Sequence, residues 1–574
     1  MPSAVTVTWA GGSVRVEPGT LLSSALNSRG MVVETPCGGR GYCLKCLVRV
    51  TSGAAPPSSD DLERLSPDQI AAGYRLACRL PVTSDLRVSV KLLLRAAGKA
   101  SIEMHWRTSL EVDIEPWFTG GFTGTEPACA RLRAGFALDL GTTTLAGALL
   151  DLTSGEQLAS GSCPNPQAVH GADVMSRLAY AIKSKENARA LQALVLEAVE
   201  GLLKSLCAGA RITPGDVLFG VAVGNTAMHH LALGLDVTGL SRAPYCPALR
   251  EGTVVSLSGL PPLYAVPVIA GFAGSDAVAD AIAAGLAGLS EATPEAGGES
   301  LLLIDVGTNS EVLLSHGGTL YVSSSPAGPA FEGGEISQGM LAGPGAIDSV
   351  RFESAALTVT TVGGAPPRGI CGSGLVDAAA ALLEAGVLDE GGRMQARGPL
   401  AWTVHPGRVR SGRDCPGGVP PDGGLVGEVF ASPDADGMSV DIAPGVAVTQ
   451  KDIRALQLAK GAIRAAIEAL LAEAGATYDD LREIVLAGTF GTFLSPESAV
   501  AIGLLPPVEL RRIRPVGNAA LAGAKMILLS RKAKQDAERA AASAVHVELA
   551  LRPDFQEVFL EAVQFRMPQG SQQP

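Results

Sequence analysis

Four cysteines, Cys37, Cys43, Cys46 and Cys78, follow the spacing C-x5-C-x2-C-x31-C, with Gly38, Gly39 and Gly41 inside the first interval. Three thiolates in one loop and a fourth far along the chain is an arrangement that holds a [2Fe–2S] cluster, here one residue longer than the C-x4-C-x2-C…C spacing. The glycines let backbone curl around such a cluster and aim N–H groups at its sulfurs. The competing metal is structural zinc, which usually takes its thiolates from paired C-x2–4-C knuckles, whereas here the fourth thiol stands alone. Cys129, Cys163, Cys207, Cys246, Cys371 and Cys415 have no ligand spacing and read as buried, inert thiols.

A second chemistry is written twice. Asp139-Leu140-Gly141-Thr142-Thr143 and Asp305-Val306-Gly307-Thr308-Asn309 lie 166 residues apart, each between apolar runs that predict strand, glycine turn and strand. Such a turn offers backbone N–H groups to a phosphate, and its Asp can hold Mg²⁺ directly or through water. A third segment, Ile484 to Gly491, reads as a buried strand breaking at Gly488-Thr489-Phe490-Gly491, and a fourth places Gly517-Asn518 before a helix from Ala519. No G-x-x-x-x-G-K-[ST] loop is present. In this order the pieces resemble the phosphate-1, phosphate-2, adenosine and hinge elements of the acetate kinase, sugar kinase, Hsp70 and actin superfamily. Three further carboxylates, Glu332, Glu335 and Asp348, lie in a Gly-rich segment where one can position an attacking water or all can be solvated. Gly372-Ser373-Gly374 opens a helix, either as an anion site or for close packing. His229-His230 are adjacent on a helix, share no face, and fit packing better than metal binding.

Positioning these groups takes several elements. Alternating "VTVTW" and "SVRVE" predict a hairpin, "TLLSSALNSRG" a short helix, and "CLVRVTSG" and "LRVSVKLLL" further strands. That set resembles the β-grasp fold of [2Fe–2S] ferredoxins. Domains are expected at 1–93 (ferredoxin-like), 94–133 (linker), 134–298 (first ATPase lobe) and 299–574 (second lobe with tail), giving a multidomain chain with a two-lobed α/β ATPase. The clearest helices are "NARALQALVLEAVEGLLKSLCAG" and "TQKDIRALQLAKGAIRAAIEALLAEAG", while "SGRDCPGGVPPDGG" reads as a surface loop. The 574 residues carry 18% charged residues and a net charge of -12, without a Lys/Arg-rich tract, which argues against nucleic acid or anionic membrane as partner. Lacking a leader pattern or a long apolar run, the sequence reads as cytoplasmic.

The combination is specific. With "NPQAVHGADVMSRLAYA", "VAVGNTAMHHL", "GPAFEGGEISQGM", "ICGSGLVDA", "VTQKDIRALQLAKGAI", "VLAGTFGTFL" and "PDFQEVFLEAVQF", the chain is similar over residues 36 to 565 to the reductive activators of corrinoid proteins. The resemblance implies ATP-dependent reduction of inactive Co(II) to Co(I) in a corrinoid protein partner, an upstream low-potential electron donor, and a homodimer. By the same resemblance Cys37, Cys43, Cys46 and Cys78 carry the electron, Asp139 and Asp305 serve Mg-ATP, Gly141, Thr142, Thr143, Gly307 and Thr308 cradle phosphates, and Gly488 and Gly491 contact the adenosine. With no cysteine after Cys415, one [2Fe–2S] cluster is expected. The rivals are an ATPase that passes electrons to another low-potential enzyme such as a 2-hydroxyacyl-CoA dehydratase, an Hsp70-like ATPase with structural zinc, and a sugar kinase.

Overall fold

The computed structural model describes residues 4–9, 12–29, 33, 46–53, 56–65, 67–89, 117, 133–286, 300–353, 356–395, 400–405, 425–429, 431–434, 437–491 and 493–565. Cys37 and Cys43, the glycines between them, Cys129, Cys415 and the 411–424 segment lie outside the described residues.

Near the N-terminus five strands form a mixed sheet in the order Gly12–Val16, Val5–Trp9, Leu86–Ser89, Leu47–Ser52, Tyr74–Leu76. The expected hairpin pairs antiparallel with Val7 opposite Val14, and Leu86–Ser89 joins it in parallel. Helix Leu22–Asn27 buries Leu22, Ala25 and Leu26 in one core with Val7, Val14, Val48, Leu76 and Val88. The strand period of two and the helix period of 3.6 thus supply one apolar face each, in the β-grasp manner.

Two larger sheets repeat a plan. One runs Thr253–Val255, Leu263–Ala265, Val217–Val223, Ala134–Leu140, Thr144–Asp151, Gln157–Pro164, and the other Ile513–Gly517, Leu481–Ala487, Ser300–Asp305, Ser310–His316, Thr319–Ser325, Val545–His546. In each, three strands meander antiparallel and a parallel strand flanks the first of them. That first strand is covered on both faces, which explains its unbroken apolar run. It ends in the aspartate of the repeated turn: Asp139 pairs across from Ala146 and Val223, Asp305 across from Glu311 and Ala487.

Helices Ser275–Ala283 and Ala519–Leu529 fill the layer between these sheets, in one core with Ala137, Val221, Leu303, Leu313 and Val485. Gly523 sets their approach, because a Cβ there would sit 2.0 Å from the Ala279 carbonyl oxygen. The outer faces are covered by Lys185–Ala210 and Gln450–Ala474. The second of these starts in a reciprocal Thr449/Asp452 capping box and stops at Gly475, whose φ of 65° is left-handed. Two smaller sheets, from Ala346–Glu353 to Val446–Thr449, complete the second lobe.

Trp117 is the one described residue between 90 and 132. Its indole packs edge-on against Phe219 and Tyr264, with ring centroids 5.1 Å away in both cases, and Nε1–H donates to the Ile527 carbonyl at 2.8 Å. Lys534 Nζ lies 5.1 Å from the Trp117 centroid and 5.0 Å from that of Tyr264. Glu538 accepts from both Tyr264 and Lys534. Among the described residues no helix is long and apolar enough to cross a membrane.

Candidate functional site

The two Asp-x-Gly-Thr turns meet. Thr143 Oγ1 lies 3.3 Å from Thr308 Oγ1, and Glu332 accepts from both hydroxyls, through Oε2 from Thr143 at 2.9 Å and through Oε1 from Thr308 at 2.7 Å. Glu332 ends the short turn Pro329–Glu332, which follows Gly328 at φ 75°; the Gly328 N–H donates to the Thr308 carbonyl at 3.0 Å. Each turn is tight at its glycine: a Cβ on Gly141 would sit 2.3 Å from the Thr144 carbonyl oxygen, and one on Gly307 3.0 Å from that of Asn309. The first turn is also braced from behind. Thr142 accepts from Asn225 Nδ2 at 2.8 Å, Gly141 O accepts from Asn165 Nδ2 at 2.9 Å, and Thr143 O accepts from the Asn165 N–H at 2.9 Å. The two hydroxyls thus face each other across the two repeated turns and share one carboxylate as acceptor.

Below the turns the carboxylates gather. Asp139 accepts from Asn518 Nδ2 at 2.7 Å, while Asn518 Oδ1 caps helix Ala519–Leu529 at Leu521 N. Burial pushes the Asp139 carboxyl up to about 7; the Asn518 hydrogen bond holds it partly down, and the Asp305 charge adds to the rise. Burial raises Asp305 to about 6. Asp276 is pushed to about 7 by burial and by Asp139 and Asp305, and burial also raises Asp280 and Glu311. Carboxyls so crowded are stabilised by a cation. Among the described residues no group of three or more His, Cys, Asp or Glu side chains is arranged to hold a metal ion by itself.

Gly488, at φ 84°, lies against this group: a Cβ there would be 2.4 Å from Asp305 Oδ1. Gly491 packs instead behind Leu486, 3.3 Å from its carbonyl carbon by the same construction. Of the three loop carboxylates, only Glu332 touches the turns. Glu335 is exposed, and Asp348 accepts from Thr360 at 2.8 Å. Gly372 and Gly374 serve packing, since Cβ atoms there would lie 1.9 Å from Phe331 O and 2.2 Å from Ile347 O. His230 is held by Thr226 O and the Leu249 N–H, and His229 is buried in apolar surroundings that push its pKa down to about 3.

At the other end of the chain, Cys46 and Cys78 are buried with their sulfurs 3.2 Å apart, too far for a disulfide. Thirty-one residues separate them in sequence, yet they converge as two ligands of one iron–sulfur cluster must, so the two described donors fit such a cluster.

Asp276, Asp280 and Glu311 were not expected from sequence, whereas Asn518 was expected before its helix and Asn225 within a Gly-containing turn, neither with its partner. A signal existed for the asparagines: Val-Gly-Asn occurs at 223–225 and again at 516–518. Both copies follow a strand, cap a helix, and send Nδ2 to the first turn.

Comparisons with known proteins agree with this layout. A family profile described as the RACo middle region matches residues 134–288, one described as the C-terminal domain of RACo, the ASKHA domain, matches 299–408 and 433–573, and a 2Fe-2S iron–sulfur cluster binding domain matches 7–83. The chain is 30% identical to the corrinoid activation enzyme RamQ of Eubacterium limosum, covering 96% of this chain and 97% of that one. It is 27% identical to the [Co(II) methylated amine-specific corrinoid protein] reductase of Methanosarcina barkeri over 46% of this chain and 45% of that one. Among solved structures, a reductive activator for corrinoid, iron–sulfur protein superposes with a TM-score of 0.65 at 27% identity, covering 98% of both chains.

Proposed function

Because this chain belongs to the RACo family of reductive corrinoid activators, we propose that it returns a corrinoid protein from Co(II) to Co(I) by a one-electron transfer that ATP makes favourable. The observation that carries the reading is the junction of Thr143, Thr308 and Glu332 in the same chain as the Cys46–Cys78 pair. Cys37, Cys43, Cys46 and Cys78 would hold a [2Fe–2S] cluster, which when bound supplies a one-electron carrier near about -400 mV. Co(I) corrinoids need a lower potential, and each ~59 mV of deficit is a tenfold unfavourable factor. Nucleotide chemistry can offset it only by favouring one state of the complex with the partner over another.

In the ATP site, Asp139 and Asp305 would hold the cation of Mg-ATP, the turns at Gly141 and Gly307 would cradle its phosphates, and the hydroxyls of Thr142, Thr143 and Thr308 would donate to phosphate oxygens. Gly488 and Gly491 border the adenosine. Glu332 takes the proton of the attacking water as its oxygen bonds to the terminal phosphorus and the bond to the bridging oxygen breaks. The corrinoid protein is the acceptor, a low-potential reductant refills the cluster, and the working unit is a cytoplasmic homodimer.

The test is anaerobic. Purified protein is analysed for iron and acid-labile sulfide, then mixed with a Co(II) corrinoid protein and a low-potential reductant, and Co(I) is followed by its visible absorption. Two irons and two sulfides per chain, with Co(I) forming only when ATP is added, is the expected result. Stoichiometric zinc in a colourless sample, or Co(I) formation indifferent to ATP, would sink the reading.

A further inference from the structure

We infer that Arg177 is a positioning residue for Glu332: its guanidinium receives that carboxylate when a terminal phosphate claims the hydroxyls of Thr143 and Thr308. The inference rests on the reading of Glu332 as the group that handles the attacking water.

Arg177, on helix Val174–Ala181, is 0% exposed. Nε donates to Gly171 O at 3.0 Å, and Nη1 reaches Met228 Sδ at 3.2 Å and Gln167 Oε1 at 3.5 Å. Nη2 has no hydrogen-bond partner among the described residues. A carbonyl, a thioether and an amide leave the cation without a counter-charge, a costly state for a buried guanidinium. Two carboxylates act on it electrostatically, Asp173 and Glu332, against the burial that pulls it down to about 10. Asp173 is committed, because its oxygens cap the helix at the Ser176 N–H (2.8 Å) and hydroxyl (2.9 Å). Among the described residues, Glu332 is held by the two threonine hydroxyls alone.

The guanidinium and Glu332 flank the same turn. Gln167 and Met228, which Arg177 touches, also contact Asn165 Nδ2, and Asn165 holds both Gly141 O and Thr143 O. When phosphate oxygens take the hydroxyl protons of Thr143 and Thr308, Glu332 loses both donors at once. The open Nη2 then supplies a charge-assisted one, which fixes the carboxylate toward the water and ends the isolation of the cation.

The test uses the holoprotein with its cluster. ATP hydrolysis is measured for the wild type, R177M, R177K, E332Q and R177M/E332Q, alongside ADP affinity, thermal midpoint and visible spectrum. R177M is expected to lower kcat about 10- to 100-fold with KM and ADP affinity within about threefold and the spectrum unchanged, and R177K to recover part of the loss. In the E332Q background the Arg177 change should cost less than about twofold, since residues acting as a unit are non-additive. Losses that multiply, or an R177M that shifts KM and thermal midpoint while keeping kcat, overturn the inference. Should R177M fail to fold, R177K is read in the same way with and without E332Q. An impaired E332Q beside an unimpaired Arg177 variant overturns this inference alone, whereas full kcat in E332Q overturns the reading of Glu332 and this inference with it.

Discussion

Asp139 holds its place through one amide. Asn518→Ala removes the hydrogen bond that keeps the Asp139 carboxyl from rising further above about 7, and a cation must displace whatever proton sits there. Mg-nucleotide binding at pH 7 should weaken about 10- to 150-fold, the range for losing a hydrogen bond to a charged group, and the deficit should shrink at pH 8.5. Fluorescent ADP titrations at the two pH values check this; an equal deficit at both would mean that Asn518 acts only as a helix cap. At this scale the sequence was readable where a residue type repeats in a fixed frame, as with Asp139 and Asp305, the threonines after them, and Cys46 with Cys78. It was silent where the partner comes from another element: nothing in "GPAFEGGEISQGM" singles out Glu332 over Glu335, because the choice is made by which of them faces Thr143 and Thr308.

Among the elements, the turn after strand Leu481–Ala487 is the least tolerant. Gly488→Ala adds a methyl 2.4 Å from Asp305 Oδ1 at a φ of 84°, so a stability loss of about 1–3 kcal/mol is expected together with at least a tenfold loss of ATP hydrolysis. Thermal melts and steady-state rates on the same sample measure both, and a variant with wild-type rates would show that the turn moves freely away from Asp305. Helix Gln450–Ala474 carries a pH-dependent contact. Burial, with the Arg464 charge adding, pushes Lys460 down to about 7, where its ammonium donates to Gln564 O and lies 5.6 Å from the Phe565 centroid. An unfolded lysine titrates near ~10.4, so between about 7 and 10 the unfolded chain binds the extra proton and stability rises with pH. The thermal midpoint of wild type relative to K460M should therefore climb from pH 7 to pH 9 and be lowest below 7. A difference constant with pH would mean that Lys460 does not change charge. Helix positions such as this one were legible from periodicity and caps, but the docking of Gln564 and Phe565 onto Lys460 joins segments about 100 residues apart and leaves no local trace.

For the whole molecule, the duplicated sheets were foreseeable from the duplicated turns, while the helix pair between them was not, since Ala519–Leu529 carries a small, nearly all-round apolar sequence that signals burial without naming Ser275–Ala283 as its neighbour. Gly523→Val should force that pair apart at Ala279 O, lowering the thermal midpoint by several degrees, about 2–4 °C per kcal/mol at most in a chain this long, and cutting the stabilisation that Mg-ADP confers. Nucleotide-dependent stabilisation left intact would show that the two lobes grip the ligand independently of this contact.

Trp117 acts as a mooring. About 44 positions separate Ser89, the last residue of the small N-terminal sheet, from Arg133, immediately before the first large sheet, but the indole fastened between Phe219, Tyr264 and Ile527 fixes a point about 28 positions after Ser89. At roughly 3.5 Å per residue, the greatest distance by which Ser89 can be parted from the next fixed point of the chain falls from about 150 Å to about 100 Å. The knot that sets this limit is tied to the helix whose first turn is pinned to Asp139.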